Sequence, residues 1–368
     1  MELSLMIHQF DLPGRLVTIN PLGSGNVNDT FLAIFRNTYL ERQVVLQRIN
    51  KNVFPQPEII MQNLHRLSAH VHPKLEQNAD RADRIWQMPM IVKTKDGKDF
   101  YRDDTGDVWR VITKIPSAVA FDETQGTEHA MECGSVLAHF HWLVADLNPE
   151  LMVDPLPGFH ITPKYLEKYD ETLADPAAVT RLNASMEARR MAMFIEERRK
   201  FASSLQDALD RGELSLRMMH GDPKVNNIMI DHYTGKGTAM IDLDTVSPGL
   251  IHYDFGDALR SICNHAGEEE SNLSKVVFDL DLCEAFCKGY LAHAKDFLTP
   301  ADRHYLYDAI RLITFELGLR FFQDYLAGSQ YFKIRHPEQN LNRARVQFRL
   351  CESIESRERM IRSLLKKL

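Results

Sequence analysis

Residues 220–227 read HGDPKVNN, and residues 239–244 farther along the chain read AMIDLD. Asp222 lies five residues before Asn227 in the first stretch, and Asp242 ends a hydrophobic strand in the second. Phosphoryl transfer needs a carboxylate that orients the attacking hydroxyl, together with acidic or amide oxygens that hold Mg²⁺. Across one hairpin, Asp222 can supply the first function and Asp242 can reach the same metal. The alternative is that His220 and Asn227 only brace a tight loop and that Asp222 is a solvated turn residue.

The first third of the chain is rich in strand signals. Short β-compatible runs of apolar and branched residues are separated by turn-forming stretches, at residues 16–19, 30–35, 43–49, 88–93 and 109–115. One helical pattern interrupts them, from about residue 57 to residue 70. The order of strands, one helix and further strands predicts a small antiparallel sheet that carries a helix.

From Thr127 onward the pattern is mainly helical. The first helix has an apolar stripe at Ala130, Cys133, Leu137, Phe140 and Val144. Farther on, one long helix is predicted between Thr299 as N-cap, with Pro300 at the first helical position, and Gly328 just past the end. Pro116 stands at the change of character, so we predict two lobes, residues 1–115 and 116–368.

Composition excludes several classes of function. The chain has 368 residues and a formal net charge of −7, which gives no support to nucleic-acid binding, where a basic face supplies the affinity. No run of about 18 apolar residues is present, so no membrane span is predicted. The segment after Met1 lacks the pattern of a secretory signal. A soluble, cytoplasmic protein is therefore expected.

The five cysteines are scattered and odd in number, as is typical of reduced thiols. Cys283 and Cys287 lie one helical turn apart, a spacing at which two thiols can bind one metal ion. No second Cys or His pair stands at zinc-site spacing, so buried core thiols are expected instead.

A glycine-containing segment lies between the first two predicted strands. It reads NPLGSGNVND over residues 20–29 and contains Gly23 and Gly25. Without side chains, the backbone there can approach phosphate groups closely. Glycines between strands usually only form a hairpin, but the position at the start of the small sheet favours a loop that covers a nucleotide.

The stretch HGDPKVNN, together with residues 248–260, PGLIHYDFGDALR, resembles the aminoglycoside phosphotransferase and choline kinase superfamily. That superfamily is itself similar to protein kinases. The resemblance implies an α+β, protein-kinase-like, two-lobed fold with a small antiparallel-sheet N-lobe and a larger, mainly helical C-lobe. It also implies ATP and Mg²⁺ as cofactors. Asp222 is then the catalytic base, and Asn227 and Asp242 are the magnesium ligands.

The same resemblance suggests functions for neighbouring residues. Lys224 matches the catalytic-loop lysine of many protein kinases and could neutralise charge on the transferred phosphoryl group, although a solvent-facing lysine is the alternative. His220 is interpreted as a buttress of the loop. Asp254 is interpreted as structural, hydrogen-bonded to the catalytic loop.

The strand at residues 44–50, VVLQRIN, lacks the lysine that a protein kinase carries there. Arg48 is the best replacement, because the strand resembles the arrangement of choline kinases, in which an arginine pairs with the phosphates. The register is open, because Gln47 points to the opposite face of the strand. Glu58 either pairs with Arg48 or is solvated. Lys114 is predicted as a further nucleotide-binding residue.

Longer segments resemble bacterial N-acetylhexosamine 1-kinases and their relatives, among them LPGFHITPKYL, GLRFFQDYLAGSQYFKI and QNLNRARVQFRL. This resemblance implies a sugar acceptor, phosphorylated at its anomeric hydroxyl, with Arg320 and Tyr331 on the sugar side. Asp324, four residues after Arg320, completes a polar set suited to hydroxyl groups. The alternative is a solvated Arg–Asp pair and a packed tyrosine. Asn26 stands where that branch tends to carry histidine, and it is predicted near the sugar.

Two further hypotheses remain open from the sequence. A choline, aminoglycoside or amino-alcohol kinase would need a carboxylate-rich or aromatic acceptor side, and the only dense acidic run, residues 268–270, is typical of an exposed loop. A non-catalytic pseudokinase would account for the missing strand lysine, but the complete set of Asp222, Asn227 and Asp242 argues against it.

Overall fold

The computed structural model describes residues 3–23, 27–78 and 84–368. The predicted positions Gly25 and Asn26 lie outside the described residues. Its first helices and strands are α1 (Leu3–Ile7), β1 (Arg15–Pro21), β2 (Asp29–Arg36), β3 (Glu41–Ile49), α2 (Pro57–Asn78), β4 (Ile91–Val92), β5 (Tyr101–Arg102) and β6 (Val108–Thr113).

The six strands form one antiparallel sheet in the order β1-β2-β3-β6-β4, with β5 also paired to β6. Alternation along β3 and β6 gives the sheet two different faces. On one face, Val44, Leu46 and Trp109 are buried against the helix α1. On the other face, Ile49 and Val108 pack into the main core of the molecule. This second face is the one that looks toward the C-terminal part of the chain.

The remaining chain is mainly helical. Its helices are α3 (Thr127–Val144), α4 (Thr162–Leu173), α5 (Pro176–Ala184), α6 (Met186–Arg198), α7 (Ser204–Asp210), α8 (Ile251–Ile262), α9 (Leu280–Ala294), α10 (Pro300–His304), α11 (Leu306–Leu326), α12 (Gln339–Ser356) and α13 (Glu358–Lys367). The short strands are β7 (Ala118–Val119), β8 (Arg217–Met219), β9 (Ile228–Asp231), β10 (Gly237–Met240) and β11 (Ser247–Gly249). The strands β9 and β10 form the predicted hairpin, which β7 extends, while β8 pairs with β11.

Two glycines let the helices α3 and α9 approach closely. A Cβ on Gly134 would lie 2.1 Å from the Phe286 carbonyl oxygen, and one on Gly289 would lie 1.9 Å from the Met131 carbonyl oxygen. The apolar stripe predicted for α3 is buried in the same core. Short strands of the C-terminal part pack against this helix pair.

The predicted fold class is confirmed: an antiparallel N-terminal sheet is followed by a mostly helical part. The predicted N-terminal cap at Thr299 is present as a capping box with Asp302. The single helix expected there is instead two, α10 and α11, which meet at Tyr305. The helix expected to end near residue 70 continues to Asn78 through Pro73.

The division into residues 1–115 and 116–368 remains a prediction; Pro116 lies shortly after the end of β6. All five cysteines are buried and unpaired, as expected for core thiols. Within the described ranges, no helix combines the length and apolar character needed to cross a membrane.

Candidate active site

The segment of residues 220–227, called the catalytic loop below, connects β8 to β9. It turns at Gly221, whose φ of 87° is accessible to glycine, and a Cβ there would lie 2.8 Å from the Thr245 carbonyl oxygen. Beyond the turn, the Lys224 ammonium lies 2.8 Å from the Asp222 carboxylate. The Asn227 side chain donates to the Asp222 carbonyl oxygen at 2.8 Å and to its carboxylate at 3.1 Å.

These contacts favour an ionised Asp222. Burial acts to raise the pKa of the Asp222 carboxyl, but the ammonium of Lys224 outweighs it, and the pKa falls below its usual value. Burial likewise acts to lower the pKa of the Lys224 ammonium, while Asp222 and Asp242 raise it above the usual range. The loop therefore presents a carboxylate and an ammonium side by side at neutral pH.

Asp242 lies two residues after the end of β10 and meets the catalytic loop from the other side of the hairpin. Its backbone is left-handed, with φ 62°, which is uncommon for a residue other than glycine. The preceding Ile241 donates its N–H to the Asn227 carbonyl oxygen at 2.9 Å. Burial, together with the negative charges of Asp244 and Asp222, raises the pKa of the Asp242 carboxyl to about 7. A bound cation would relieve this concentration of negative charge.

The donor set at this position fits Mg²⁺ held jointly with a phosphate ligand. Within the described residues, no group of three or more His, Cys, Asp or Glu side chains is arranged to hold a metal ion. Magnesium is commonly bound through one or two carboxylates, with phosphates and water completing its shell. Asp242 offers a carboxylate, and the amide oxygen of Asn227 receives no hydrogen bond from the described protein.

A buried carboxylate, Asp254 on α8, fixes the backbone of the catalytic loop. It accepts hydrogen bonds from the N–H groups of His220 at 2.6 Å and Gly221 at 2.8 Å. A ring nitrogen of His141 lies 2.8 Å from the same carboxylate, and the other lies 2.8 Å from the Tyr290 hydroxyl. The structural function predicted for Asp254 is confirmed by these contacts.

His220 also acts as the predicted buttress. One nitrogen of its buried ring lies 3.0 Å from the Ile241 carbonyl oxygen, and the other accepts the Asp222 N–H at 3.2 Å. Burial lowers the pKa of the His220 imidazole, so the ring remains neutral. His220 thereby connects the backbone of Asp222 to the strand that leads to Asp242.

A second buried histidine, His160, was not singled out by sequence reasoning. One nitrogen of its ring lies 2.8 Å from the Gly221 carbonyl oxygen, and the other lies 2.9 Å from the buried Glu316 of α11. Thr162 donates to the other oxygen of Glu316 at 2.6 Å. His160 thus joins α11 to the catalytic loop. Only its place in the segment LPGFHITPKYL, noted for its resemblance, could have pointed to it.

On the sheet, the structure does not bring Arg48 together with Asp222 and Asp242. Arg48 lies on the face packed against α1, where its guanidinium pairs with Asp29 and Asp107 and covers the Trp109 ring at 5.7 Å. Since adjacent strand residues point to opposite faces, Gln47 occupies the face that looks toward the site.

The interpretation of Glu58 as a partner of Arg48 is wrong, because Glu58 pairs with Arg102. Lys114 follows the end of β6, and among the described residues its ammonium reaches only the Ile115 carbonyl oxygen, at 3.4 Å. Gly23, shortly after the end of β1, adopts a φ of 70°. The nucleotide contacts predicted for Gly23 and Lys114 remain predictions.

A small apolar cluster lies where β6 leads into the C-terminal part. It consists of Ile115, Ala118, Met229 and Ala239, with Ile241 packed against them. Ile241 directly precedes Asp242, so this cluster lies beside the carboxylates. Such a surface suits a flat, apolar group such as a nucleotide base.

Arg320 on α11 carries an unpaired charge. Its guanidinium lies 5.1 Å from the ring centres of Phe159 and Tyr165, and 5.7 Å from that of Phe332. Across residues 3–23, 27–78 and 84–368, no acceptor lies within hydrogen-bonding or ion-pairing distance of it. Guanidinium donors without a protein acceptor are available to a ligand.

The segment of residues 329–338, called the acceptor loop below, follows α11. The buried Asp324 carboxylate accepts the N–H groups of Gln330 at 2.9 Å, Tyr331 at 2.8 Å and Phe332 at 3.0 Å. It also accepts the side chain of Asn340 at 2.9 Å. Asp324 was predicted to contact the substrate, but its carboxylate already accepts hydrogen bonds that hold the loop. Tyr331 is 46% exposed at the loop surface.

The acidic residues 268–270 do not form a free anionic patch. Glu268 lies 2.8 Å from the buried Arg260, and Glu270 lies 3.4 Å from Lys275. Glu269 pairs with Arg343 and accepts from Gln339 at 2.7 Å. Each carboxylate of the run is thus matched by a cation.

The sequence model of a known family covers most of this arrangement. The phosphotransferase enzyme family matches residues 18–290, from the first strand to the helix α9. The chain belongs to the phosphotransferase enzyme family. The matched part of this phosphotransferase contains the catalytic loop and Asp242, whereas Arg320 and the acceptor loop follow it in sequence.

Solved structures show the same fold at low identity. The phosphotransferase is 13% identical to an aminoglycoside phosphotransferase from Alicyclobacillus acidocaldarius, with a TM-score of 0.65 and coverage of 100% of this chain and 97% of the other. A choline kinase from Cryptosporidium parvum is 12% identical, with a TM-score of 0.59 and coverage of 94% and 91%. A spectinomycin phosphotransferase, in complex with ADP and spectinomycin, is 12% identical, with a TM-score of 0.52 and coverage of 93% and 94%.

These comparisons confirm the predicted superfamily and the prediction of a small-molecule phosphotransferase enzyme. The finer resemblance to N-acetylhexosamine 1-kinases, and with it the sugar acceptor, stays a prediction.

Proposed function

We propose that this phosphotransferase transfers the γ-phosphoryl group of ATP, with Mg²⁺, to a hydroxyl of a small molecule. The proposed acceptor is the anomeric hydroxyl of an N-acetylhexosamine or a related sugar. The observation that carries the proposal is the catalytic loop, in which Asp222, Lys224 and Asn227 contact one another opposite Asp242.

The chemistry follows from these side chains. Asp222, kept ionised beside Lys224, orients the acceptor hydroxyl and accepts its proton as the new O–P bond forms and ADP departs. Lys224 balances negative charge on the transferred group. Bound Mg²⁺, for which Asp242 and Asn227 are the proposed ligands, would neutralise charge on the phosphates. Gly23 and the apolar cluster at Ile115 are proposed to cover and seat the nucleotide, a hypothesis supported by the ADP complex of the spectinomycin phosphotransferase.

The charge of the acceptor side favours a neutral, hydroxyl-rich acceptor. Arg320 has no carboxylate partner in the part of the chain that the structure describes, and its guanidinium lies near three aromatic rings. A polyhydroxylated ring can accept hydrogen bonds from this guanidinium and pack against the aromatic surfaces. Tyr331, on the adjacent acceptor loop, is proposed as a further wall of the sugar site, and Asn26 as a contact from the glycine-containing segment.

The alternative acceptor is choline, an aminoglycoside or an amino alcohol, in line with the names of the similar structures. A cationic acceptor would need unpaired carboxylates. The nearby Asp257, Glu268 and Glu269 each pair with an arginine. The charge distribution therefore supports the sugar hypothesis over a cationic acceptor. A non-catalytic binding protein is disfavoured by membership in an enzyme family.

The deciding experiment measures ADP release from ATP and Mg²⁺ with a panel of free sugars and amino alcohols. The Asp222→Asn variant is the control for contaminating activity. NMR of the product identifies the phosphorylated hydroxyl, and deoxy sugars should lose rate steeply, since they leave polar groups of the site unpaired. Phosphate on another hydroxyl would refute the anomeric assignment. Turnover of choline or an aminoglycoside, without any sugar, would refute the sugar acceptor.

A second measurement tests the metal assignment. In Asp242→Ala, nucleotide binding followed by calorimetry should no longer depend on Mg²⁺, because the variant lacks the proposed carboxylate ligand. Nucleotide affinity that still rises with Mg²⁺ as in the wild type would contradict this assignment.

A further inference from the structure

A network of polar side chains crosses from the sheet to the segment that follows Asp242. It begins at Gln47, which donates to Thr30 at 3.1 Å and accepts the Nε–H of Arg110 at 2.9 Å. Arg110 reaches across to Asp244, at 2.6 Å. Asn28 donates to the other oxygen of Asp244 at 2.7 Å. Of these residues, Gln47 alone was considered in the sequence analysis, as the alternative to Arg48 in an open register.

Arg110 is the buried cation of this network. It is only 2% exposed, and its partner Asp244 is 4% exposed. Its terminal nitrogen Nη1 is buried without any hydrogen-bond partner among the described residues. The ion pair is close but not aligned as a hydrogen bond, so Asp244 Oδ1 also lacks such a partner. Asp244 Oδ1 already lies 2.6 Å from the guanidinium, whereas buried donors are rarely left unpaired, so Nη1 indicates a site that a ligand completes.

The position of Arg110 shows which ligand this would be. Asp244 lies two residues after Asp242, the proposed metal ligand, and Arg110 is near enough for its charge to act on the Asp242 carboxylate. Asn28, which donates to Asp244, directly precedes β2 and lies near the end of the glycine-containing segment. Through Asp244, Arg110 is thus linked both to the segment that follows Asp242 and to Asn28 at the start of β2.

The strand β3 itself places no cation on the face of the sheet that looks toward the site. It presents Gln47, an uncharged amide, on the face that looks toward the site, and Arg48 points away. The neighbouring strand β6 supplies a guanidinium to the same face, next to Gln47 in register. The charge is therefore present on that face, but it comes from a different strand.

We propose that Arg110 is the arginine that binds the phosphates of the nucleotide, held in place by Gln47 and Asp244. This inference rests on the proposed use of ATP. A guanidinium suits this task, since it can hold Asp244 with one nitrogen and a phosphate oxygen with another. The chemistry recognised is the polyphosphate, and neither the base nor the acceptor is contacted.

The test compares ligands with and without phosphate. Dissociation constants for Mg-ATP, ADP and adenosine are measured by calorimetry for Arg110→Gln with Asp244→Asn, and for Asp244→Asn alone. Removing both charges avoids leaving a buried carboxylate unpaired, which would destabilise the fold. Relative to Asp244→Asn, the double variant should bind Mg-ATP and ADP about 10- to 100-fold more weakly, the range for a lost charged hydrogen bond. Adenosine affinity should stay within about twofold.

Two further variants sharpen the result. In the Asp244→Asn background, Arg110→Lys should retain more Mg-ATP affinity than Arg110→Gln, because a charge remains in place; equal losses would overturn the proposal. Arg48→Gln distinguishes the two arginines, since a loss of Mg-ATP affinity there, and none on changing Arg110, would return the phosphate contact to Arg48.

The melting temperature of each variant is recorded with and without ADP. An equal loss of affinity for adenosine and for ADP would show that Arg110 only supports the fold, and an unchanged ADP affinity in the double variant would overturn the inference outright. If the wild type binds no nucleotide at all, the proposed function fails first. If the wild type binds and uses Mg-ATP while the double variant matches Asp244→Asn, this inference alone fails.

Discussion

In each of two loops of this phosphotransferase, one buried aspartate accepts hydrogen bonds from the loop backbone. The two loops differ in the other contacts that fix them. The catalytic loop receives Asp254 from α8, His160 from the segment before α4, and a hydrogen bond at 2.8 Å from Thr245 to the His220 carbonyl oxygen. The acceptor loop is organised by Asp324, from the helix that it directly follows, and by Asn340 of the next helix.

Under the proposed function, the difference separates the chemistry from the choice of acceptor. Contacts from several distant elements fix the geometry that phosphoryl transfer requires. Contacts from adjacent helices leave the acceptor loop free to change in sequence without disturbing the catalytic loop. The family match agrees with this division, because it includes the catalytic loop and ends at residue 290, before the acceptor loop begins.

The largest expected effect is on the catalytic loop itself. Asp222→Asn removes the carboxylate that orients the acceptor hydroxyl, so kcat should fall by about 10²- to 10⁴-fold. Mg-ATP binding, measured by calorimetry, should be largely intact. If more than about a tenth of the wild-type turnover remained, against the loss usual for a positioned base, Asp222 would not be that base.

Asp254→Asn tests how strongly the catalytic loop depends on its buried support. The amide cannot accept from both backbone N–H groups and from His141, so the free energy of unfolding should drop by about 3 kcal/mol. The kcat should fall as well, because the backbone that carries Asp222 loses its anchor. Urea unfolding and steady-state kinetics measure the two effects. A variant with wild-type stability would show that the buried contacts do not hold the loop.

Arg320→Ala addresses the acceptor side. Loss of one charged hydrogen bond should lower kcat/KM for the sugar by about 2–3 kcal/mol, with ATP affinity little changed. Kinetics at varied sugar and at varied ATP separate the two. A matching loss for ATP would place Arg320 in the nucleotide site instead.

The smallest effect is expected for Asp324→Asn. The amide oxygen can keep the N–H groups of Gln330 and Tyr331, while Phe332 and the Asn340 side chain lose their shared acceptor oxygen. Asn340 can still donate to Ser329, so unfolding should become easier by only about 1–2 kcal/mol. The KM for the acceptor should rise while kcat stays near that of the wild type. A kcat loss comparable to that of Asp254→Asn would erase the distinction between the two loops.

Sequence reasoning correctly predicted the proximity of those candidate site residues that are near one another in the chain. Asp222, Lys224, Asn227 and Asp242 belong to one loop and its hairpin, so their proximity follows from local structure. The fold class followed from strand and helix patterns for the same reason.

It failed where the answer depends on the pairing of distant strands. A difference of one residue decides whether Gln47 or Arg48 points toward the site, and Arg110 reaches that face only because β6 pairs with β3. His160 and Glu316 meet across more than 150 residues, which no local pattern can reveal. Asp324 matched the expected spacing from Arg320, but its carboxylate turns to the backbone of the next loop.

The burial of all five cysteines makes the protein convenient for spectroscopy. Its surface carries no thiol of its own, so an introduced cysteine would be the only site open to a maleimide dye. Tyr39, 95% exposed between β2 and β3, and Tyr233, 83% exposed between β9 and β10, lie on the sheet and on the C-terminal part respectively. A pair of dyes at these two positions would turn the distance between the two parts into a fluorescence signal, readable as nucleotide and acceptor are added in turn.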